Sequence, residues 1–301
     1  MIEREVSRLS AKSTIEAEVA TTSKVMARKP KYWPKPGAVA DNGTAKVISI
    51  FNQKGGVGKT TTTISLGAAL AEFGRRVLLV DFDPQGGLSL ALGVPVHTLA
   101  KEETVYQALM DPSTNVESIV LKSAVPNLDF LPTNRDLVSA EITLGQEIGG
   151  QQYLKRTLEP LKSKYDVILI DCQPTMGQLA MNALIASDEV IVPLQCENLS
   201  LHGFIELSIN LDKVRNFLNP NLKLAGILAT MYENKLHHKE VLTRICERYP
   251  DDIFETVIAK TIKFPDATNK GVPITKAFAA SAGAESYRRL ARELIARGGA
   301  K

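Results

Sequence analysis

Residues 51–61 read Phe51-Asn52-Gln53-Lys54-Gly55-Gly56-Val57-Gly58-Lys59-Thr60-Thr61. The short apolar run before them, Val47-Ile48-Ser49-Ile50, predicts a buried strand. After them, residues 62–73 carry apolar side chains at helical spacing, and Gly74 predicts the end of that helix. A strand, a glycine-rich loop and a helix, with Gly-Lys-Thr at the junction, form the context that a phosphate-binding loop requires.

The loop residues suit an anion for simple physical reasons. Glycines allow backbone N–H groups to turn inward, and the N-terminus of the following helix adds the positive end of its dipole. Lys59 supplies a mobile positive charge, and the Thr60 hydroxyl can ligate Mg²⁺ held between phosphates. We therefore predict that the nucleotide phosphates are bound by Lys54, Gly55, Gly56, Val57, Gly58, Lys59, Thr60 and Thr61.

Carboxylates follow two further predicted strands. Asp81 and Asp83 come at the end of a strand over 76–80, and Asp171 ends the apolar run 166–171. In a parallel sheet these strand ends face the crevice where ligands bind. Because Asp81 and Asp83 are two residues apart, both can turn toward the phosphate loop. We predict that Thr60, Asp81 and Asp171 serve Mg²⁺, Asp171 through a water molecule.

Composition restricts the class of protein. The chain has 301 residues, 44% of them apolar, which is enough for one large α/β domain or two small ones. Its apolar runs are shorter than the ~20 residues that span a bilayer, and the N-terminus lacks the apolar segment of a secretory signal. Three widely spaced cysteines predict reduced core residues of a cytoplasmic protein. With a net charge of +3, any affinity for nucleic acid must come from a local patch.

Strand and helix signals alternate from Lys46 onward. This alternation predicts an α/β fold with a doubly wound, mostly parallel β-sheet and helices on both faces. Further strands are predicted over 128–131, 189–194, 222–231 and 253–258, a loop over 260–266, and helices over 105–110, 136–144, 151–161, 201–218, 238–249 and 284–297.

The chain divides into an N-terminal extension (1–45), a P-loop domain (46–297) and a tail (298–301). The extension is basic between Glu18 and Asp41 and holds Tyr32 and the single tryptophan, Trp33. Its basic residues are Lys24, Arg28, Lys29, Lys31 and Lys35. Such a composition fits either a flexible, solvated tail or a docking segment for nucleic acid or a partner.

One departure from the ordinary phosphate-loop motif is informative. The motif has a glycine five residues before the Gly58-Lys59 pair, but here that residue is Gln53, and Lys54 opens the loop. The resulting Lys-Gly-Gly-Val-Gly-Lys-Thr resembles the deviant Walker A box of the ParA/MinD family of ATPases.

Other segments favour the partition branch of that family, the Soj-like group. They are Val-Asp-Phe-Asp-Pro-Gln-Gly at 80–86, Ala-Thr-Met-Tyr at 229–232 and Tyr-Arg-Arg-Leu-Ala-Arg at 287–292. The resemblance covers residues 46–297. After Asp171 the family usually has Asp-x-Pro-Pro, whereas this chain has Gln173 before Pro174, which leaves the shape of that loop open.

The resemblance implies a slow ATPase that works as a switch, with ATP and Mg²⁺ as cofactors. ATP closes two protomers face to face into a homodimer, and Lys54 of each reaches the γ-phosphate bound by the other. Lys54 and Lys59 are implied to neutralise developing charge, and Asp83 is implied to orient the attacking water. Met231, Pro265 and Asp266 are implied to complete the nucleotide site.

Partners also follow from the resemblance. The ATP-bound dimer would bind double-stranded DNA without sequence preference, and a ParB-like centromere-binding protein would stimulate hydrolysis and release it. The positions that match the group's DNA contacts are Lys235, Lys260, Lys263, Arg288 and Arg289. Such a protein is cytoplasmic, associates with the nucleoid when ATP is bound, and has no membrane partner. Its cargo could be a chromosome or a plasmid.

Two other classes share the deviant loop. A MinD-like ATPase that acts at membranes would end in an amphipathic anchor, but the last predicted helix has a thin apolar face of Tyr287, Leu290, Leu294 and Ile295. A relative of the nitrogenase iron-protein type would need cysteines that ligate an iron–sulfur cluster at the dimer axis. Those at 172, 196 and 246 do not suggest such ligands.

Overall fold

The computed structural model of the protein describes residues 32–37, 39, 43–197 and 200–300. Within these ranges, eight strands form one sheet in the order β3-β4-β2-β5-β1-β6-β7-β8. Neighbouring strands are parallel except β3 and β4, which pair antiparallel at one edge. The strands are β1 Lys46–Ile50, β2 Val77–Phe82, β3 Leu121–Lys122, β4 Leu128–Leu131, β5 Val167–Cys172, β6 Glu189–Gln195, β7 Lys223–Tyr232 and β8 Ile253–Ala259. The predicted α/β fold with a mostly parallel sheet is confirmed.

Helices cover both faces of this sheet. The α-helices are α1 Lys59–Glu72, α2 Gly87–Ala91, α3 Val105–Met110, α4 Leu137–Gln146, α5 Tyr153–Leu158, α6 Gln178–Ala186, α7 Ser200–Phe217, α8 Leu236–Arg248, α9 Lys263–Asn269, α10 Ile274–Ala277 and α11 Ala282–Ala296. Short 3₁₀ turns occupy Val96–Thr98, Lys101–Glu103, Val116–Ile119, Gly150–Gln152 and Glu159–Leu161.

The central strands are buried on both sides, which explains their continuous apolar sequences. Successive side chains of a strand point to opposite faces, so Val47 and Ile48 of β1 enter different cores. One core packs α3–α8 against the sheet, and the other packs α1, α2 and α11 against the opposite face. Full burial of a valine, leucine or isoleucine contributes about 1.5–3 kcal/mol. This two-sided burial is the main force that holds the parallel strands together.

Several elements differ from the prediction: β3, α2, α6 and α10 were not predicted, and α9 lies partly in a predicted loop. The helix α6 was not predicted, because seven of its nine residues are buried and its sequence lacks a polar face that would reveal helical spacing. The loop predicted over 260–266 is wrong in its second half, where α9 begins at Lys263. Pro265 is the third residue of α9 and does not break it, since the first backbone N–H groups of a helix have no partner within the helix.

The ends of β1, β2 and β5 define where a ligand can bind. These three strands are neighbours, and Asp171 of β5 stands in register with Ile50 of β1 on one side and Asp81 of β2 on the other. The phosphate-binding loop leaves β1 at the same end of the sheet. Residues far apart in sequence therefore meet at one edge.

The described part of the N-terminal extension contacts the P-loop domain. The guanidinium of Arg75 donates a hydrogen bond of 2.8 Å to the carbonyl of Gly37. The basic residues from Lys24 to Lys31 lie outside the described residues. At the other end, Ala300 of the predicted tail is buried, and Lys301 lies outside the described residues.

Candidate functional site

The phosphate-binding loop has the backbone that its glycines predict. Gly56 and Gly58 adopt φ angles of +74° and +87°, in the left-handed region that glycine enters without strain. Gly58 is the N-cap of α1. The loop is anchored from outside, because the Thr230 hydroxyl donates to the Val57 carbonyl at 2.9 Å and the Asn52 amide donates to the Pro193 carbonyl at 2.7 Å.

Lys59 lies inside the loop. It is 7% exposed, and its Nζ donates a hydrogen bond of 3.1 Å to the carbonyl of Lys54. Burial lowers the pKa of Lys59, and the nearby charges of Asp171 and Asp83 oppose that shift. A buried ammonium with few protein partners is poised to bind an anion, such as a nucleotide phosphate, that enters the loop.

Asp81 and Asp171 form a buried pair of carboxylates beside the loop. Neither side chain is exposed. Asp81 Oδ2 accepts hydrogen bonds of 2.7 Å from the backbone N–H and from the hydroxyl of Ser89, and Asp171 Oδ1 accepts one of 3.3 Å from the Thr63 hydroxyl. Their other oxygens, Asp81 Oδ1 and Asp171 Oδ2, have no hydrogen-bond partner among the described residues. Burial raises the pKa of Asp81 to about 7, and burial together with the charge of Asp81 raises that of Asp171.

This arrangement fits a hydrated divalent cation. Two buried carboxylates without a cation repel each other, and a cation with oxygen ligands or water removes that cost and satisfies the orphaned oxygens. Thr60 is close enough to Asp171 to lower the pKa of that carboxyl, so the three residues predicted to serve Mg²⁺ are together. Ser89, which holds Asp81 in place, was missed by sequence reasoning, because a serine in a short helix carries no signal of its own.

Asp83 lies just beyond the end of β2 and is half-buried. Its Oδ1 accepts a hydrogen bond of 3.0 Å from the backbone N–H of Gln85. Its charge acts on Asp81, Asp171 and Lys59, which places it beside the same pocket. A carboxylate has acceptor sites beyond this one hydrogen bond, so Asp83 can accept another, for example from a water molecule.

Lys54 differs from Lys59 in its surroundings. Its side chain is 42% exposed, and its Nζ forms an ion pair of 2.5 Å with Glu197, whose side chain is 46% exposed. Lys54 thus lies at the outer lip of the loop. Glu197 was missed by sequence reasoning, although its place directly after β6, at the edge of the sheet where ligands bind, was a usable signal.

Comparison with known proteins agrees with this geometry. A model of the AAA domain family matches residues 45–224. The chromosome-partitioning ATPase Soj of Treponema pallidum is 42% identical over 255 residues, which are 84% of this chain and 98% of Soj. The chain belongs to the ParA/Soj family of P-loop ATPases. It is therefore an ATPase, and its cofactors are ATP and Mg²⁺.

Two further relatives cover similar lengths. An uncharacterised protein of Mycobacterium tuberculosis is 50% identical over 273 residues, which are 90% of this chain and 85% of that protein. A structure of cobyrinic acid a,c-diamide synthase from Mycobacterium smegmatis, with bound ADP and magnesium, is 39% identical with a TM-score of 0.70. The match covers 83% of this chain and 94% of the M. smegmatis chain.

The three remaining residues predicted at the nucleotide lie on β7 and α9. Met231 is half-buried near the end of β7 and has a φ of +52°, an uncommon value for a residue other than glycine. Pro265 and Asp266 lie on the exposed side of α9. The other side of α9 faces a groove of about 260 Å³ that reaches the start of α1 and is lined by Thr60, Thr61, Ile64, Ser65, Gly87, Ala91, Phe264, Ala267, Thr268, Val272, Pro273 and Ile274.

The five predicted DNA contacts do not form one exposed set. Lys235, Lys260 and Lys263 are exposed, and Lys235 pairs with Glu233 at 3.1 Å. The backbone N–H of Lys260 donates to the Tyr232 carbonyl, which brings the loop after β8 against the end of β7. These three lysines therefore lie at the same edge of the sheet.

The two arginines do not share this exposure, and their contact with DNA stays a prediction. Arg289 is 7% exposed, because it lies on the inward side of α11, near the charges of Glu293 and Glu255. Arg288 is hydrogen-bonded within the protein. Its guanidinium donates to both carboxylate oxygens of Glu72, at 2.6 and 3.1 Å, and to the Ala279 carbonyl at 2.7 Å. Two successive residues of a helix point about 100° apart, and on α11 this turn buries Arg289.

Proposed function

We propose that this protein is an ATP-dependent partition ATPase for a chromosome or a plasmid. In this proposal ATP closes two protomers face to face, the homodimer binds double-stranded DNA without sequence preference, and a ParB-like partner stimulates hydrolysis. The protein would be cytoplasmic and would associate with the nucleoid when ATP is bound. The proposal rests on the likeness to Soj and on the site described above.

The position of Lys54 carries the proposal. The Lys54 ammonium lies at the outer lip of the loop, its side chain is 42% exposed, and it would reach a phosphate that a second protomer holds once its ion pair with Glu197 breaks. Lys59 already supplies the inner positive charge of its own loop. Two lysines with these different exposures suit a site that is completed only when two protomers meet.

The remaining residues have roles that their surroundings support. Thr60, Asp81 and Asp171 would hold Mg²⁺ and its water shell, and the metal would neutralise charge on the phosphates. Lys59 would hold the β- and γ-phosphates, and the backbone N–H groups of residues 55–61 would surround them. Asp83 would accept a hydrogen bond from the attacking water and orient it toward the γ-phosphate. Because phosphoryl transfer needs positioning and charge neutralisation, this set is sufficient for a slow reaction.

A MinD-like role at the membrane is disfavoured by the last helix. Three of the four apolar residues that could form its anchor, Tyr287, Leu290 and Leu294, are each at most 1% exposed, and the fourth, Ile295, is half-buried and packs against the same core. A membrane anchor requires an apolar face that is free to enter the bilayer. Among the described residues, no helix has the length and apolarity to span a membrane.

The name of the M. smegmatis neighbour suggests ATP-driven amide formation as a second candidate. The two functions differ in what ATP hydrolysis depends on. In an amide synthase, phosphate release requires an acid substrate and a nitrogen donor. In a partition ATPase, it requires DNA and a partner protein instead.

The test is DNA binding by the full chain with ATP, with ADP and without nucleotide. We expect tight binding to random-sequence duplex DNA with ATP only. Asp83→Ala should retain ATP and DNA binding and lose turnover, because the water-orienting carboxylate is removed while the phosphate contacts remain. Equal DNA affinity in the three nucleotide states would contradict the switch, and normal turnover by Asp83→Ala would assign the water to another group.

A further inference from the structure

The loop that follows Asp171 is held by one carboxylate from a distant helix. Glu141 of α4 accepts hydrogen bonds from the backbone N–H groups of Gln178 at 2.6 Å and Leu179 at 3.0 Å. It also accepts one of 3.1 Å from the side-chain amide of Gln173. Glu141 therefore contacts both ends of the segment 173–179, which begins two residues after Asp171.

This carboxylate replaces a cap that α6 lacks. Gly177 is the N-cap of α6 and has no side chain, so the first N–H groups of the helix have no local partner. An acidic group at a helix N-terminus also interacts favourably with the helix dipole. Here that group comes from α4, 37 residues earlier than the N–H of Gln178 that it binds.

The Glu141 carboxylate lies so close to Gly177 that a side chain at position 177 would collide with it. A Cβ atom at Gly177 would lie 1.7 Å from Glu141 Oε1 and 2.8 Å from its Cδ. The φ of Gly177 is −108°, a value that other residues adopt, so the glycine is needed here for space and not for backbone conformation. The absence of a side chain at 177 is what allows the Glu141 carboxylate to reach the helix.

We propose that Glu141 is a positioning residue for the ATPase reaction, acting through the 173–179 segment on Asp171. The carboxylate of Asp171 is buried, and one of its oxygens has no hydrogen-bond partner among the described residues. Few contacts of its own therefore fix its direction, and the backbone that leaves β5 must do so. Glu141 holds the side chain of Gln173 at one end of this segment and the backbone at the start of α6 at the other.

The link between Glu141 and the loop after Asp171 depends on the glutamine at position 173. A proline at this position would stiffen the loop through its own ring but could not donate a hydrogen bond. Gln173 instead ties the loop to Glu141, so its shape depends on where α4 lies. The outer side of α4 exposes Val138 and Ile142, at 54% and 66%, so the helix that holds the loop is open to solvent on its other face.

The inference rests on the proposed role of Asp171 at Mg²⁺, and the experiment separates the two. The affinity of full-length protein for N-methylanthraniloyl-ADP is measured by fluorescence over a range of Mg²⁺ concentrations and in EDTA. Glu141→Ala, Gln173→Ala, Gly177→Ala and Asp171→Asn are compared with the parent. Glu147→Gln is the control, since Glu147 is exposed just after α4.

We expect Glu141→Ala to raise the Mg²⁺ concentration for half-maximal enhancement of binding by about tenfold, the size typical of residues that orient a metal ligand. Gly177→Ala should shift it in the same direction because it displaces the Glu141 carboxylate. Gln173→Ala, which removes one of three hydrogen bonds, should shift it less. Affinity in EDTA should stay unchanged in all three variants.

Two outcomes decide against the inference. If Glu141→Ala lowers the melting temperature but leaves the Mg²⁺ dependence unchanged, Glu141 is only a helix cap. The same conclusion follows if Gly177→Ala is folded and has the parent's Mg²⁺ dependence. If Asp171→Asn also leaves the Mg²⁺ dependence unchanged, then the metal assignment of Asp171 fails, and that failure is separate from the role of Glu141.

Discussion

The residues at the carboxyl ends of the strands differ from one another mainly in how deeply their side chains are buried. Lys59 is inside the phosphate loop and Lys54 is at its lip, although only four residues separate them. Lys54 is held by Glu197 of the same chain, and this contact must break before the ammonium can reach another protomer. Exposed ion pairs contribute only about 0–1 kcal/mol, so Glu197 restrains Lys54 without locking it.

The first prediction concerns Lys54. We expect Lys54→Ala to bind ATP as a monomer and to fail to dimerise, whereas Lys59→Ala should lose ATP binding because the phosphates lose their inner charge. Glu197→Gln should dimerise at least as well as the parent, with a gain of at most about fivefold, the equivalent of 1 kcal/mol. The measurement is sedimentation with ATP and Mg²⁺. Dimerisation of Lys54→Ala equal to that of the parent would show that Lys54 does not act between protomers.

A second prediction follows from the raised pKa of Asp81. Because the folded-state pKa of about 7 lies above the ordinary value of 3.8, the contribution of Asp81 to stability is present below about pH 4 and is lost as the pH rises through 7. In EDTA without nucleotide, the free energy of unfolding should fall over this range by up to about 4 kcal/mol from this group. Urea unfolding at several pH values measures it.

Asp81→Asn is the matched control for that titration, since the amide has the same shape and does not ionise. Its stability should fall less with pH than that of the parent. Mg²⁺ with ADP should stabilise the parent more at pH 8 than at pH 6, because the cation binds the ionised carboxylates. An identical pH dependence in the parent and in Asp81→Asn would mean that Asp81 ionises normally.

Among the elements, α11 and the edge strand β8 depend on each other. Glu293 of α11 is fully buried, and its carboxylate accepts hydrogen bonds from the backbone N–H groups of Glu255 at 2.7 Å and Thr256 at 2.9 Å. It also accepts one of 2.7 Å from the Thr256 hydroxyl and pairs with Arg297 at 2.7 Å. The outer N–H groups of a sheet edge are thus satisfied by a helix, which also blocks pairing with another strand.

The third prediction is that Glu293→Ala destabilises the protein by about 3 kcal/mol. The substitution leaves two buried N–H groups without their acceptor, and Arg297 keeps only its hydrogen bond to the Ile253 carbonyl. Breaking a buried ion pair typically costs about 3–5 kcal/mol. Urea unfolding measures the change. Glu247→Ala, at an exposed position of α8, should change stability by less than about 0.5 kcal/mol. A loss of similar size in both variants would mean that the hydrogen bonds and ion pair of Glu293 do not stabilise the fold as predicted.

At the scale of the whole molecule, the charge distribution favours one edge of the sheet for DNA. Lys235, Lys260 and Lys263 are exposed there, while the arginines of α11 are buried or paired. Three lysines on one protomer are a small patch. A dimer doubles it, so DNA affinity should depend on the ATP state through the number of phosphates contacted.

The fourth prediction concerns this patch. Log affinity for duplex DNA should fall with log salt, and Lys260→Glu/Lys263→Glu should reduce the slope by up to about 3.6, or 0.9 for each of the four lysines in a dimer. Lys213→Glu/Lys223→Glu makes the same change of charge at exposed positions of α7 and β7 and should leave the slope unchanged. The measurement is a salt titration with ATP. Equal slopes for the two variants would exclude this edge as the DNA surface.

The sequence by itself determined the fold class and the composition of the phosphate site. Both are encoded by residues that are adjacent in sequence. The glycine loop is one continuous segment, and strands buried on both faces appear as unbroken apolar runs. Because parallel strands place their carboxyl ends at one edge, Asp81 and Asp171 could be assigned to the same pocket as the loop.

Only the tertiary structure decided which partner each side chain has. Glu197 lies 143 residues from Lys54, and Glu141 lies 32 residues from Gln173, so no local pattern could pair them. The sequence marked Arg288 and Arg289 equally as surface cations, but the rotation of α11 against β8 buries one and directs the other to Glu72. Such contacts depend on how packed helices are oriented, and that orientation is set by the whole core.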